Sequence, residues 1–468
     1  MVVQSISGIR GIYGKDLTLP VIQKYALAFY QFLTKKSKKP RIVIGNDSRV
    51  SGEDIKKEFI KVLGTYNVSL IDVGINTTPA IQLGVKDYKA EGGIIITASH
   101  NPPEYNGIKF LNGFGSIVEE KDFLEIQSFY TKIDSCTIKP NFKKVTNNTK
   151  DLRNRYISFL CTFLGQDMHL INNLKTKIIL DPNGGAACVI LPELFTKLGL
   201  PVIIVNDKLG EFNREIEPHE KSLAYLANNL KKEKADFAVG FDCDADRINI
   251  IMSNKQMLSG QYILALCIDE ILSQSQYPKK QTVVVNDATS YMVKDIVENH
   301  GAHYTEVEVG EINVVHELYR INAIAGGEGS SGGGIFPPST SRDGILTLLL
   351  ILKSMARKQK SLGELVKALP VYYTIQEKVS CEPQHQIGMK KKLKDFYISQ
   401  QYHIQETGDE TGGLKVFISE NSWIWYRMSK TEPGIFRIMA DSKNEQEAKL
   451  LLKEGIIIFN KFKVKKEN

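Results

Sequence analysis

Four polar loops carry the residues able to do chemistry. One is Asp242-Cys243-Asp244-Ala245-Asp246, which follows the apolar run "ADFAVGF". Residues two apart on extended backbone face the same way, so three carboxylates would share one side and repel unless a cation lay between them. Oxygen-only ligands, and few of them, favour Mg²⁺ with positions left open for a substrate or phosphate. An EF-hand is a poor match: Arg247 stands where that loop needs its glycine, and Ser253 where it needs its bidentate glutamate. A solvated acidic turn is the alternative.

A second loop ends the apolar run of "GGIIITASHNPPEYNGIKF" (Gly92 to Phe110). The pair Ser99-His100 invites comparison with a hydrolase triad. However, adjacent side chains on extended backbone point apart, and the glycine-flanked nucleophile elbow is missing. A strand-end serine can instead carry a phosphoryl group if a metal neutralises it and donors surround it. His100, Asn101 and Lys109 are nearby donors; a plain polar turn is the alternative. In "GGEGSSGGG" (Gly326–Gly334), Glu328 can accept hydrogen bonds from sugar hydroxyls while the glycines let a ring approach, although a flexible connector reads the same way. "RMSKTEPGIFR" places Arg427, Ser429, Lys430 and Thr431 before a proline, a donor-rich turn able to cradle phosphate or simply an exposed basic turn.

The elements that position these loops repeat. "PRIVIGND" (Pro40–Asp47), "TKIILDPNGG" (Thr176–Gly185) and "QTVVVNDATS" (Gln281–Ser290) are β-branched apolar runs ending on Asp or Asn, the pattern of buried parallel strands. A helix is expected after each. The first has Ser51 as its cap and Ile55, Phe59 and Leu63 on one face. Second strands follow at Val68–Gly74, Leu200–Asp207 and Ala302–Gly310, and third strands lead into the loops bearing Ser99, the Asp triplet and Glu328. The order strand, helix, strand, helix, strand is that of an α/β layer, copied three times, with ligands expected beyond the strand carboxyl ends. The last ~100 residues break the pattern. There "KVFISENSWIWYRMSKTEPGIFRIMAD" reads as two strands around a polar turn and "SKNEQEAKLLLKEGIIIFNKF" as a closing helix, together a smaller α+β domain.

Composition narrows the class. The 468 residues carry a formal charge of +7, a mild bias compatible with anionic small substrates. Basic residues are not clustered with stacking aromatics, so nucleic acid is not an expected partner. The apolar run "ILTLLLIL" (Ile345–Leu352) is too short to span a bilayer, which needs ~20 residues, so no membrane is expected either. Six scattered cysteines without a C-x-x-C pair and no signal-type apolar segment at the start lead to the expectation of free thiols in the cytoplasm.

With these loops in this order, the chain resembles the α-D-phosphohexomutases nearly end to end. "TASHNPPEYNGIKF" is similar to that family's phosphoserine loop, "GFDCDADRI" to its metal loop, "GGEGSSGG" to its sugar-binding loop and "RMSKTEPG" to its phosphate-binding loop. The resemblance implies four domains around a central cleft: three related α/β units at 1–150, 151–257 and 258–368, and an α+β phosphate-binding domain at 369–468. It implies an intramolecular phosphotransferase that interconverts hexose 1- and 6-phosphates through a phosphoserine, with Mg²⁺ as cofactor and hexose 1,6-bisphosphate as primer. Ser99 would be the phosphorylated nucleophile, and Asp242, Asp244 and Asp246 would hold Mg²⁺ with a Ser99 phosphate oxygen. Arg10 would enter the active-site cleft, and Arg247 would steady the phosphoserine or the substrate. Lys109 and His100 would help move protons. Glu328 and Ser330 would grip sugar hydroxyls, and Arg427, Ser429, Lys430 and Thr431 the non-reacting phosphate. The sugar is glucosamine, mannose or glucose on this reading, and the protein a monomer or homodimer. Two departures bear on the sugar: Ser330-Ser331-Gly332 lacks the histidine many relatives carry, and "EVGEINV" (Glu308–Val314) lacks a basic residue. The variant loop is closer to archaeal-type and phosphoglucosamine-type members. The rival readings are an aspartyl-nucleophile phosphatase working through Asp242 and a catalytically silent sugar-phosphate sensor.

Overall fold

In the computed structural model, which describes residues 3–5, 8–136, 145–386, 388–430 and 434–463, the strand Arg41–Asn46 lies between two parallel neighbours, Ser69–Ile75 and Gly92–Ile96. Ile42, Val43 and Ile44 are fully buried, as a strand covered on both faces requires. Tyr105–Asn112 and Gly8–Ile12 extend the sheet antiparallel beyond Gly92–Ile96. The helix Val50–Leu63 buries Ile55, Phe59 and Leu63, the face its spacing predicts. Its cap is Arg49 rather than Ser51. Asp47 accepts the Arg49 N–H at 2.9 Å, and this Asx turn starts the helix ahead of Ser51. The Ser51 hydroxyl instead accepts from Asn106.

The second repeat has the same order. Ile178–Asp181 is flanked in parallel by Val202–Ile204 and Phe237–Phe241, and Ile248–Met252 adds an antiparallel strand beside the latter. The third repeat places Thr282–Asn286 between His303–Val307 and Ala325–Glu328, again parallel. In all three, the first strand of the repeat is in the middle and the third strand beside it feeds a polar loop. Three related α/β units are therefore present.

The C-terminal part is a five-stranded antiparallel sheet in the order Tyr373–Ser380, Ile435–Ser442, Ser422–Met428, Leu414–Ser419, His403–Glu406. The segment expected to hold two strands holds three, because Leu414–Ser419, Ser422–Met428 and Ile435–Ser442 are separate strands paired antiparallel in that order. The helix Glu445–Lys463 buries Ala448, Leu451, Gly455 and Phe459 and packs against this sheet.

The chain divides into two compact units, Met1–Ser259 with Gly332–Glu364, and Gly260–Ser331 with Leu365–Asn468. The apolar run Ile345–Leu352 belongs to the first, inside the buried helix Gly344–Lys358. Among the described residues no helix is long and apolar enough to cross a membrane, and all six cysteines are free.

One glycine decides how closely the site-bearing strands approach. A Cβ on Gly107 would lie 2.6 Å from both the Ile9 and the Thr97 carbonyl oxygens. Neither backbone can yield without moving Arg10 or the strand end before Ser99. Gly107→Ala is expected to cost about 1–3 kcal/mol, read as a lower chemical denaturation midpoint. An unchanged midpoint would show that the three strands are not packed this tightly.

Candidate active site

Ser99 follows the buried strand Gly92–Ile96 and has φ +50°, a left-handed conformation uncommon for a non-glycine residue. Its N–H donates to Thr97 Oγ1 at 2.8 Å, and its hydroxyl donates to Asp242 Oδ2 at 2.9 Å. Extended backbone would send Ser99 and His100 apart. The left-handed turn instead leaves Ser99 Oγ 3.4 Å from His100 Nδ1. Burial, reinforced by Arg247 and Arg10, pushes His100 down to about 2, so its ring is neutral at physiological pH.

The Asp triplet also converges by turning rather than by alternation. Ala245 has φ +56° and donates its N–H to the Asp242 carbonyl at 3.3 Å. One oxygen from each of Asp242, Asp244 and Asp246 lies within 4.8 Å of the others, and all three residues are buried. Around them the chain supplies partial compensation. Lys109 donates to Asp244 Oδ2 at 3.0 Å, Thr78 to the same oxygen at 2.6 Å, and Arg342 to Asp246 Oδ2 at 2.9 Å. The Arg247 N–H donates to Asp242 Oδ1 at 3.3 Å, while its guanidinium lies 3.6 Å from Asp246 and 3.7 Å from Glu217. Arg10 donates to Asn101 Oδ1 at 2.9 Å.

The two outer carboxyls respond oppositely. Burial, then the charges of Asp246 and Asp244, push Asp242 well above the usual carboxylate range. Burial acts the same way on Asp246, but Arg342, Arg247 and Lys109 outweigh it and hold that carboxyl below the usual range. Asp244 Oδ1 and Asp246 Oδ1 are buried without a hydrogen-bond donor among the described residues. Two bare oxygens in an all-carboxylate set beside a serine hydroxyl fit a hard divalent cation such as Mg²⁺.

Residues expected on the sugar and phosphate side lie in the second unit. Glu328 ends its strand and is buried. Its Oε1 accepts from Asn286 at 3.0 Å and from the Gly310 N–H at 2.8 Å. Ser330 is exposed. Arg427 ends its side chain 3.2 Å from Glu308 Oε1, and Lys430 Nζ lies 2.7 Å from the same oxygen. Arg427 also donates to the Val309 carbonyl at 3.3 Å. Ser429 is buried, with its N–H on the Ile435 carbonyl at 2.9 Å. Thr431 lies outside the described residues. The Glu308-Val309-Gly310 turn thus touches both the Glu328 and the Arg427 groups.

Thr78, Arg342 and Glu308 were not singled out in the sequence. Thr78 and Arg342 carry no local signal, because their partners are 166 and 96 residues away. Glu308 had one: it opens the turn that lacks a basic residue.

Comparison with known proteins identifies the family. Profiles of phosphoglucomutase/phosphomannomutase α/β/α domains I, II and III match residues 3–136, 154–255 and 259–373. A phosphoglucomutase/phosphomannomutase of Thermococcus kodakarensis is 34% identical over 461 residues, 96% of each chain. A phosphoglucosamine/phosphogalactosamine mutase of Sulfurisphaera tokodaii is 30% identical over 455 residues, 96% of each. The crystal structure of a phosphoglucomutase/phosphomannomutase family protein from Burkholderia thailandensis shares the fold, with TM-score 0.82, 20% identity and coverage of 99% and 98% of the two chains. The three domain matches in order, and a relative this similar along the whole length, show that the chain belongs to the α-D-phosphohexomutase family and is an isomerase of the phosphohexomutase type.

Proposed function

We propose that this phosphohexomutase interconverts the 1- and 6-phosphates of a hexose by passing phosphate through Ser99. The observation that carries the reading is the Ser99 hydroxyl, 2.9 Å from Asp242 inside the carboxylate cluster. Phosphoserine 99 gives its phosphoryl group to the free hydroxyl of a hexose monophosphate. The Oγ–P bond breaks, an O–P bond to the sugar forms, and the sugar's hydroxyl proton ends on Ser99 Oγ. The bound 1,6-bisphosphate then turns over, and its other phosphate returns to the serine. His100 Nδ1 lies 3.4 Å from Oγ, within reach of that proton; Lys109, paired with Asp244, supplies positive charge beside it. Arg10 and Arg247 steady the phosphoserine.

Asp242, Asp244 and Asp246, with an oxygen of the phosphorylated Ser99, would hold Mg²⁺. When bound, the ion withdraws charge from the transferring phosphoryl group. Glu328 and Ser330 orient the sugar hydroxyls, while Arg427, Ser429, Lys430 and Thr431 hold the phosphate that is not reacting. Such a cradle recognises phosphate and ignores the ring, so it serves either end of the sugar. The domain limits 1–150, 151–257, 258–368 and 369–468 go with this division of labour. The substrate is a glucosamine, mannose or glucose phosphate. The amino sugar is favoured by the sugar loop without histidine and by the amino-sugar name of the Sulfurisphaera relative. An aspartyl phosphatase would leave Ser99 and the phosphate cradle idle.

Three measurements test this reading. Ser99→Ala should abolish mutase turnover and prevent uptake of one phosphoryl mass from hexose 1,6-bisphosphate in intact-mass spectra; turnover in that variant would end the proposal. Mg²⁺ at a hundred times its Kd should stabilise the chain by about 2.7 kcal/mol. That shift should vanish in Asp242→Asn, and its persistence there would move the ion elsewhere. Glu308→Gln should lower KM for the hexose phosphate roughly fivefold at unchanged kcat. Substrate phosphate would then no longer displace a carboxylate whose pairing is worth about 1 kcal/mol. A raised KM would assign Glu308 to substrate recognition instead.

A further inference from the structure

Two arginines outside the cluster hold the loops that form it. Arg49 lies in "NDSRVSG" and its side chain is fully buried beside Asp47. Its Nε donates to Asp47 Oδ2 at 3.1 Å. Its Nη1 donates to the carbonyls of Pro102 at 2.6 Å and Tyr105 at 3.1 Å. Its Nη2 donates to the carbonyls of Ser99 at 2.8 Å and Asn101 at 2.6 Å. A guanidinium has five N–H bonds, and these acceptors use all of them. Four are main-chain carbonyls of the serine loop, and one is that of Ser99 itself.

This grip matters because the Ser99 conformation is unfavourable. A left-handed non-glycine residue is strained and persists only where its surroundings over-determine it. Arg49 on the carbonyl and Thr97 on the N–H provide that restraint.

The second repeat contains the same device. Arg214 has a side chain only 4% exposed, and its Nε donates to Asp181 Oδ2 at 2.5 Å. Its Nη2 donates to the Phe241 carbonyl at 2.7 Å and the Asp181 carbonyl at 3.4 Å. Its Nη1 donates to the carbonyls of Glu215 at 2.8 Å and Ile216 at 3.2 Å. Phe241 ends the strand that feeds Asp242. In both repeats a carboxylate at the end of the middle strand anchors an arginine, and the arginine holds the end of the neighbouring third strand. The two arginines do not share a sequence position: Arg49 follows its aspartate by 2 residues and Arg214 by 33. The recurrence is therefore one of geometry.

We infer that Arg49 is a positioning residue that sets the Ser99 hydroxyl against the metal loop for phosphoryl transfer, with Arg214 its counterpart behind Asp242. This rests on the phosphoserine reading. Every Arg49 donor is committed to protein, so it acts through the loop and not on the phosphate. Lysine would not substitute, because its three donors radiate from one point and cannot span four carbonyls.

The test compares Arg49→Lys and Arg214→Lys in the full chain by three readouts: Ser99 phosphorylation from hexose 1,6-bisphosphate at saturating Mg²⁺, Mg²⁺ affinity by calorimetry, and hydrogen exchange of both loops. Arg49→Lys should slow phosphorylation ~100-fold, the scale of a misplaced reacting atom. Its Mg²⁺ affinity should stay native, and exchange should rise in the serine loop only. Arg214→Lys should weaken Mg²⁺ ~10-fold and loosen the metal loop only. Native phosphorylation in Arg49→Lys, or both loops and both constants moving together in either variant, would overturn the inference. Should Arg49→Lys not fold, Asp47→Asn keeps the four carbonyl bonds and weakens the anchor. It should then show the Arg49→Lys signature at roughly a tenth of the size, and native behaviour there would be equally fatal. If the native chain takes up no phosphate, the phosphoserine reading fails. The exchange arm still decides the clamp, because unchanged serine-loop exchange in Arg49→Lys would reject it.

Discussion

Mutual repulsion among Asp242, Asp244 and Asp246 is the constraint around which the first unit is arranged. Their oxygens meet within 4.8 Å where none is exposed to water, and at low dielectric like charges that close cannot all remain ionised without compensation. Lys109 and Arg342 each compensate one oxygen. Ser99 donates to another. Among the described residues, Asp244 Oδ1 and Asp246 Oδ1 are left bare of hydrogen bonds. An arrangement that stabilises part of a charge cluster and leaves the rest open is built for an added cation. The Ser99 hydroxyl lies against the same cluster, 2.9 Å from Asp242, where the proposed shared ion would require it.

The repeated α/β unit makes such a meeting possible. In each copy the first strand is in the middle and the third strand beside it ends in a functional loop, so one scaffold presents different chemistry at equivalent places. Sheet hydrogen bonding alone leaves these loops free beyond their strand ends. The buried Asp47–Arg49 and Asp181–Arg214 pairs extend the order of the sheet into the loops. A buried ion pair contributes little to stability by itself, but an arginine holding several carbonyls fixes where a loop goes.

Much of this was legible in the sequence, for identifiable reasons. Ser99 and the Asp triplet stood out because polar residues with few structural uses ended apolar runs, and the threefold repeat showed because its strands have the same composition. The reasons first given for the geometry were less secure. Alternation on extended backbone brought the three carboxylates together in anticipation, whereas the chain does so by a turn at Ala245. The same assumption separated Ser99 from His100, which a left-handed residue brings to 3.4 Å. Ser51 looked like a helix cap because caps are recognised by residue type, but the Asx turn at Asp47 acted first. The C-terminal segment reads as two strands from its apolar pattern, whereas Ser422–Met428 and Ile435–Ser442 are separate antiparallel strands. Arg49, Arg214 and Arg342 were invisible for a simpler reason: a buried arginine differs from a surface one only in its partners, and several of those are distant in sequence.

The second unit shows the same economy with the opposite sign. There the cations come first, Arg427 and Lys430, and Glu308 lies against both at 3.2 and 2.7 Å. The next residues of that turn add the Val309 carbonyl to Arg427 and the Gly310 N–H to Glu328. A single turn therefore touches Glu328 and both cations at once. A carboxylate in that position keeps the two cations compensated while no phosphate is bound. On the proposed reading an arriving phosphate replaces it, offering more charge and more acceptor oxygens than the carboxylate it displaces. On that reading neutral sugars cannot make the exchange, and selection for phosphorylated ligands would follow from Glu308 as much as from the basic residues it pairs with.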